Sequence, residues 1–321
     1  MIGLLGRERI NPLTALKLYK TVTLTSSLYG CELWNELSGV ERMMLERLQR
    51  FCAKVIQNLP RRTRSNICCQ MLGLNSMEGY IDSMKLKFFR RLAALPSYCL
   101  SKKIFLRRLF QAILLKDMRI VSGFSAEILT LLQKYNLHDN IDSFLIHGYI
   151  PDKPIWKKIV SRKVAETEIV NYNEMTQDDH DFKRFKRIHP NINLPSPIWR
   201  VARENPSMLS KCYTVAKVIA NPCADEAFLC EFCGRLFTDK IEHYVCDCNY
   251  TQEERDTFWD ILYNTYPISV STALFNMSDS DMVDILLGGP FNAITDMKDH
   301  IHFMTIAINF ISKLSKKVNL L

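Results

Sequence analysis

The feature that most restricts how this chain can fold is a late run of side chains suited to one metal ion. Cys230-Glu231-Phe232-Cys233 sets two thiols two residues apart, and Gly234 follows. Nine residues then separate Cys233 from His243, and four more separate His243 from Cys248. Zinc takes thiolates and imidazole nitrogens tetrahedrally, and a Cys-x2-Cys knuckle places two sulfurs about one ion with little strain. The glycine lets the backbone turn past the metal. The spacing therefore predicts a structural Zn2+ on Cys230, Cys233, His243 and Cys248, with no coordination position left open for catalysis. Cys246 is an alternative to Cys248, and Cys223 lies nearby as a spare thiol. Cys68-Cys69 has no cysteine or histidine partner at ligand spacing and is expected in a core.

The remaining thiols bear on compartment. The chain has 11 cysteines, yet Met1-Ile2-Gly3-Leu4-Leu5 runs straight into Arg7-Glu8-Arg9, which reads as no secretory leader. Cys31, Cys52 and Cys99 sit in helical apolar patterns, where a reduced thiol behaves as a small hydrophobe. A reducing intracellular setting, cytoplasmic or nuclear, is the expectation. No membrane partner is expected, because no apolar run reaches the ~18 residues a span needs. The nearest, Ile301 to Leu314, is interrupted by His302, Asn309 and Lys313 and reads as a buried helix.

Elsewhere the apolar spacing is helical, so the fold class expected is mainly α. Asn11-Pro12 starts a first helix carrying Leu13, Leu16, Leu18, Tyr19 and Val22, and Tyr29-Gly30 ends or kinks it. Ser38-Gly39-Val40-Glu41 is a capping box, after which Val40, Met44, Leu48, Phe51 and Val55 predict a core stripe. Leu59-Pro60 stops that helix ahead of a basic loop, Arg61-Arg62-Thr63-Arg64, in which Thr63 is the expected cap of a short helix ending at Gly73. From Glu78 to Leu95 the pattern sends Ile81, Met84, Phe88 and Leu92 inward and leaves Lys85, Lys87, Arg90 and Arg91 as a basic face. Prolines cluster between 151 and 206, a segment that reads as a partly irregular connector with a helix near Ile159–Val170. Thr251-Gln252-Glu253-Glu254 is a second capping box, Ser278 caps a further helix, and a last helix spans about Met297 to Leu314. Three consecutive parts are expected: a basic helical bundle at 1–120, a connector at 121–205, and a small zinc-binding helical domain at 206–321.

Charge divides along the same line. The net charge is +8 overall, but residues 1–120 hold 21 Lys+Arg against 8 Asp+Glu, a net of +13, and the remainder holds 21 against 26. Such asymmetry points to a polyanion, nucleic acid first, as partner of the front half.

Several segments resemble a known family. Asn11-Pro12-Leu13-Thr14-Ala15-Leu16-Lys17-Leu18-Tyr19, Leu28-Tyr29-Gly30-Cys31-Glu32, Gln57-Asn58-Leu59-Pro60-Arg61-Arg62-Thr63 and Leu72-Gly73-Leu74 resemble the region after the palm in non-LTR (LINE-like) retrotransposon reverse transcriptases. The Cys230, Cys233, His243, Cys248 cluster, followed by Arg255, is similar to the zinc-binding segment near the C-terminus of those polyproteins. The resemblance covers about residues 3–120 and 195–265. It implies a thumb-like bundle that grips an RNA or DNA template–primer duplex, with an upstream palm and fingers in a longer chain. Arg61, Arg62 and Arg64, aided by Arg50, Lys54, Lys87 and Arg91, are then the expected phosphate contacts.

Catalysis is not expected of this stretch by itself. Polymerisation needs palm aspartates that hold two Mg2+ ions. The one Asp-Asp pair, Asp178-Asp179, follows no apolar strand and reads as a solvated helix start. Pro151-Asp152 precedes the cysteine cluster and lacks the later aspartate a nuclease would need. Whether the chain is an enzyme is thus left open, with catalytic residues assigned to none. The other reading is a structural or protein-interaction product of a decayed element, with Trp156 and Trp199 as exposed contact points.

Overall fold

The computed structural model describes residues 10–35, 37–115, 123–177, 180–221 and 227–320, with the side chains of 115, 180 and 181 also left aside. Asp178, Asp179 and Cys223 lie outside the described residues. The protein is mainly α-helical, as the periodicity requires. Among the described residues, its one sheet is a two-stranded ribbon, Phe228–Leu229 against Leu236–Phe237. No described helix is long and apolar enough to cross a membrane.

Contacts divide the chain into two compact units. One comprises Met1–Tyr19, Arg50–Leu74 and Asp178–Leu321, and the other Lys20–Gln49 and Asn75–Gln177. This division cuts across the consecutive segments 1–120, 121–205 and 206–321 expected from composition. The reason is long-range backbone pairing between short turn segments, which hydrophobic periodicity does not register. In the first unit Ser196 N donates to Met71 O at 2.9 Å, and Leu72 bridges Pro195. Gly73 sits there at φ +60°, and a Cβ on it would lie 2.8 Å from the Leu194 carbonyl carbon. The position therefore needs glycine both for its left-handed backbone and for the close approach.

The first unit is built on the C-terminal helix Met297–Val318, which buries Phe303, Met304, Ile311 and Leu314. Helices Pro197–Glu204, Leu209–Ala220 and Gln252–Thr265 pack on it. The N-terminal helix Pro12–Leu18 joins them: the Asn11 carboxamide oxygen accepts from Leu13 N, its Nδ2 donates to Trp199 O at 3.2 Å, and proline occupies the first turn. Leu18 is 41% exposed, so that helix is buried on one side only, and Val22, on the π-helical turn Tyr19–Thr23 that follows, is 42% exposed.

In the second unit Met77–Ala93, Leu100–Leu115, Phe124–Lys134, His138–His147 and Lys153–Met175 surround one apolar cluster. Phe89 is central, with its ring centroid 5.9 Å from Phe105 and Trp156 and 6.2 Å from Phe144. The proline-bounded stretch taken as a connector thus supplies a 23-residue core helix, started by Pro154 at a position where proline costs no hydrogen bond.

Several side-chain assignments change. Trp156 and Trp199 are 1% and 0% exposed, so neither is a surface contact point; Trp156 Nε1 donates to Leu86 O at 2.9 Å. On Gly39–Ile56 the expected stripe faces water, with Val40 56%, Met44 61%, Leu48 46% and Phe51 44% exposed. Gln49, Cys52, Ala53 and Ile56 are buried instead. The helix is turned because Gln49 Nε2 donates to Asn75 O and Glu46 accepts from Met77 N, bonds that hold this polar face against the 75–77 turn. On Met77–Ala93 the stripe is likewise rotated. Met84 is 39% exposed, Phe88 and Leu92 are only partly buried, and Lys85 lies inside, its ammonium paired with Glu127. Thr63 is buried but caps nothing; the helix Ser65–Gln70 starts after Arg64 with no side-chain cap.

Candidate metal centre

The cluster begins on the hairpin, where Phe228 pairs with Phe237 and Leu229 with Leu236. Just inside this ribbon Cys230 N donates to Arg235 O at 2.9 Å and Gly234 N to Cys230 O at 2.9 Å. Gly234 holds φ +71°, which closes the knuckle and turns both thiols to one side.

The second half of the cluster comes from a tight helical segment. Asp239 Oδ1 accepts from Ile241 N and Glu242 N, capping the turn Lys240–Glu242 that leads into His243. The next residues, His243–Asp247, form a wider π-type turn. Such a turn re-aims side chains at the cost of ordinary helical bonding. Here it returns the chain so that Cys248 N donates to His243 O at 2.8 Å and the Cys248 thiol meets the knuckle.

Ligand atoms of Cys230, Cys233, His243 and Cys248 all lie within 4.8 Å of one another, close enough to hold one metal ion. Cys230 Sγ is 3.8 Å from Cys248 Sγ, and Cys233 Sγ is 3.4 Å from His243 Nε2. Three of the four residues are buried and Cys233 is half-buried. Cys246 faces elsewhere, its sulfur 4.0 Å from Asp279 O, so the open choice of fourth ligand falls to Cys248.

Electrostatics favour a thiolate at the knuckle. Burial opposes charge on Cys230, but the backbone amides of Cys233 and Phe232 and the side chains of His243 and Tyr244 bring its pKa down to about 6. Burial, with the neighbouring thiols, pushes Cys248 up to about 11. Three sulfurs this close need a cation between them to be charged together.

Supporting residues that sequence spacing did not reveal surround the ligands. Phe237 stacks on the His243 ring at 4.7 Å and 4°, fixing its plane. Arg184 pairs with both Asp239 and Asp284, anchoring the cap of the His243 turn. Arg255 is buried, and its Nη2 donates to Cys248 O at 2.8 Å while Nη1 donates to Thr251 Oγ1 at 3.0 Å. Thr251 is therefore no capping box: its hydroxyl donates to Tyr244 O at 2.7 Å, and Glu254 pairs with Lys317 instead of reaching back.

The expected nucleic-acid residues fall in both units. Arg50, Lys54, Arg61, Arg62 and Arg64 belong to the first, Lys87 and Arg91 to the second. Lys54 is tied to Arg61 O at 2.8 Å, and the Arg64 guanidinium lies 5.4 Å over the Phe182 ring. Arg61 and Arg62 are exposed. Arg62 and Arg64 line a depression with Lys217, a cation that its own sequence neighbours did not single out. Arg91 is occupied by Glu32 at 3.5 Å and by the Phe88 ring at 4.7 Å. No family model matches this chain, no curated protein matches it, and no solved structure matches it.

Proposed function

We propose that this chain is a zinc-clamped, non-catalytic nucleic-acid-binding protein, a C-terminal piece of a non-LTR retrotransposon reverse transcriptase. The metal half rests on donor chemistry and edge lengths. With Zn–S about 2.3 Å and Zn–N about 2.0–2.1 Å, a tetrahedral ion separates two sulfurs by about 3.8 Å and a sulfur and nitrogen by about 3.5 Å. The contacts of 3.8 Å and 3.4 Å between paired ligand atoms fit those two edges. Three thiolates and one imidazole fill the shell, so the ion would brace the fold and leave no site for substrate.

The nucleic-acid half is carried by one observation, the gathering of Arg62, Arg64 and Lys217 around one depression of the first unit. Guanidinium forks and an ammonium so placed suit phosphate oxygens. Duplex binding that weakens steeply with salt and discriminates poorly among sequences is the expected behaviour. The test is an electrophoretic titration of the zinc-loaded protein against an RNA–DNA duplex at two salt concentrations. Replacing Arg62, Arg64 and Lys217 by glutamine should weaken binding by more than tenfold at the lower salt; an unchanged affinity overturns the assignment.

A protein-interaction role draws support from a different observation, the exposed apolar face of Val40, Met43, Met44 and Leu48. Partners retained after nuclease treatment, and lost on Met44→Glu, would favour that reading.

A further inference from the structure

In the second unit the helices Met77–Ala93 and Lys153–Met175 pack against each other and leave a groove along one side. Five cations line it, Lys87, Arg90, Arg91, Lys153 and Lys157, with Glu32 as the carboxylate among them. Two of the five are already engaged. Arg91 takes Glu32, and Arg90 donates to Pro151 O at 3.1 Å and lies 3.9 Å from Asp152. Lys87, Lys153 and Lys157 have no carboxylate partner among the described residues.

This arrangement is unfavourable for the protein alone. Lys153 and Lys157 stand one turn apart on the same helical face, a like-charge spacing that destabilises a helix. Lys87, on the facing helix Met77–Ala93, is half-buried and lines the same groove. Burial lowers the affinity of its amine for a proton, and the charge of Lys157 lowers it further. An anion seated among the three amines would relieve both repulsions.

We propose that Lys87, Lys153 and Lys157 form a phosphodiester-binding groove, a nucleic-acid contact of the second unit separate from the arginine depression of the first. The inference rests on the nucleic-acid reading above; it shares none of the depression's residues, and of its three lysines only Lys87 was among the contacts expected from the sequence. A strand fits the concavity, where a backbone phosphate can reach the half-buried Lys87 amine while the exposed Lys153 and Lys157 take its neighbours. A planar bilayer surface cannot enter it. Phe88 is covered by Arg91 and set edge-on to Phe124, so the groove reads phosphates and offers no ring for base stacking.

The test uses the full zinc-loaded chain, a fluorescent DNA duplex and anisotropy across a salt series. Each neutralised phosphate contributes about 0.9 to the slope of log K against log salt on duplex and about 0.7 on single strands. The triple substitution of Lys87, Lys153 and Lys157 by glutamine should therefore flatten the slope by about 2 to 3, and triple substitution by arginine should restore it. A control replacing the exposed Lys183, Lys298 and Lys313 by glutamine should leave the slope within about 0.5 of the parent. An unchanged slope in the groove variant, or an equal loss in the control, overturns the groove while leaving the arginine depression standing. Absence of binding by the parent protein overturns both. Loss of binding to phosphatidylserine vesicles with an unchanged DNA slope would assign the groove to lipid and refute the proposal.

Discussion

Replacing Glu127 by leucine should expose how much the buried amine of Lys85 depends on its partner. The Lys85 side chain is 2% exposed and Glu127 is 22% exposed, so the two are not equivalent. Without the carboxylate, the amine is stranded in an apolar site, and leaving one member of a buried pair alone typically costs about 3 to 5 kcal/mol. Glu127→Leu should therefore cost about 4 kcal/mol, within the range for a broken buried pair. Lys85→Met should cost less, about 2–3 kcal/mol, because the Glu127 side chain is the more exposed of the two although its Oε2 is buried without a partner. The double variant should return to within about 1 kcal/mol of the parent. Urea unfolding followed by circular dichroism at pH 7 gives all four corners of the cycle. A Glu127→Leu variant as stable as the parent, or a costlier Lys85→Met, would refute the reasoning.

Further expectations concern the other unit. Cys248→Ser should abolish stoichiometric metal in the purified protein, while Cys246→Ser should keep one ion per chain, both read by elemental analysis. Retention by the first and loss by the second would transfer the ligand role to Cys246. Burial also holds the His189 ring below its ordinary protonation range, with Nε2 3.1 Å from Gln70 O. The unfolded chain then binds the extra proton more readily, so the stability this ring contributes is present above about pH 6.5 and is lost as pH falls below it. Melting curves between pH 7.5 and 5 should drop more for the parent than for His189→Gln; parallel curves would contradict this.

Local chemistry was legible wherever a residue acts on its own backbone neighbours. Asn11, Ser38 and Ser278 cap the helices their positions predict, and Ser38 N in turn donates to the Glu41 carboxylate at 2.8 Å. The four clustered side chains Cys230, Cys233, His243 and Cys248 were legible for the same reason, since the knuckle spacing is a local constraint. Thr251 shows the limit. Its hydroxyl satisfies the carbonyls of Tyr244 and Cys248, a demand created by the turn before it and invisible in the four residues of the box. Lys85 and Val40 mark a second limit. Helical spacing gives a stripe but not which flank faces inward, and that was decided by single polar contacts, Glu127 for Lys85 and the 75–77 backbone for Gln49 and Glu46. Arg184 was out of reach because its acids, Asp239 and Asp284, are far away in the chain.

The interleaving of segments has a consequence for synthesis. Residues 75–177 form an uninterrupted run whose helices meet neighbours close in sequence, so that part can condense as soon as it leaves the ribosome. Residues 50–74 wait longer. Met71 and Leu72 find their partners only at Pro195 and Ser196, a closure over roughly 120 intervening residues. Until then Ile67, Cys68 and Leu72, which end up fully shielded, stay open to solvent and to chaperones. A truncation at residue 120 would freeze that interval by removing Pro195 and Ser196, and one at residue 205 would remove the helices Leu209–Ala220 and Met297–Val318 against which Pro197–Glu204 packs.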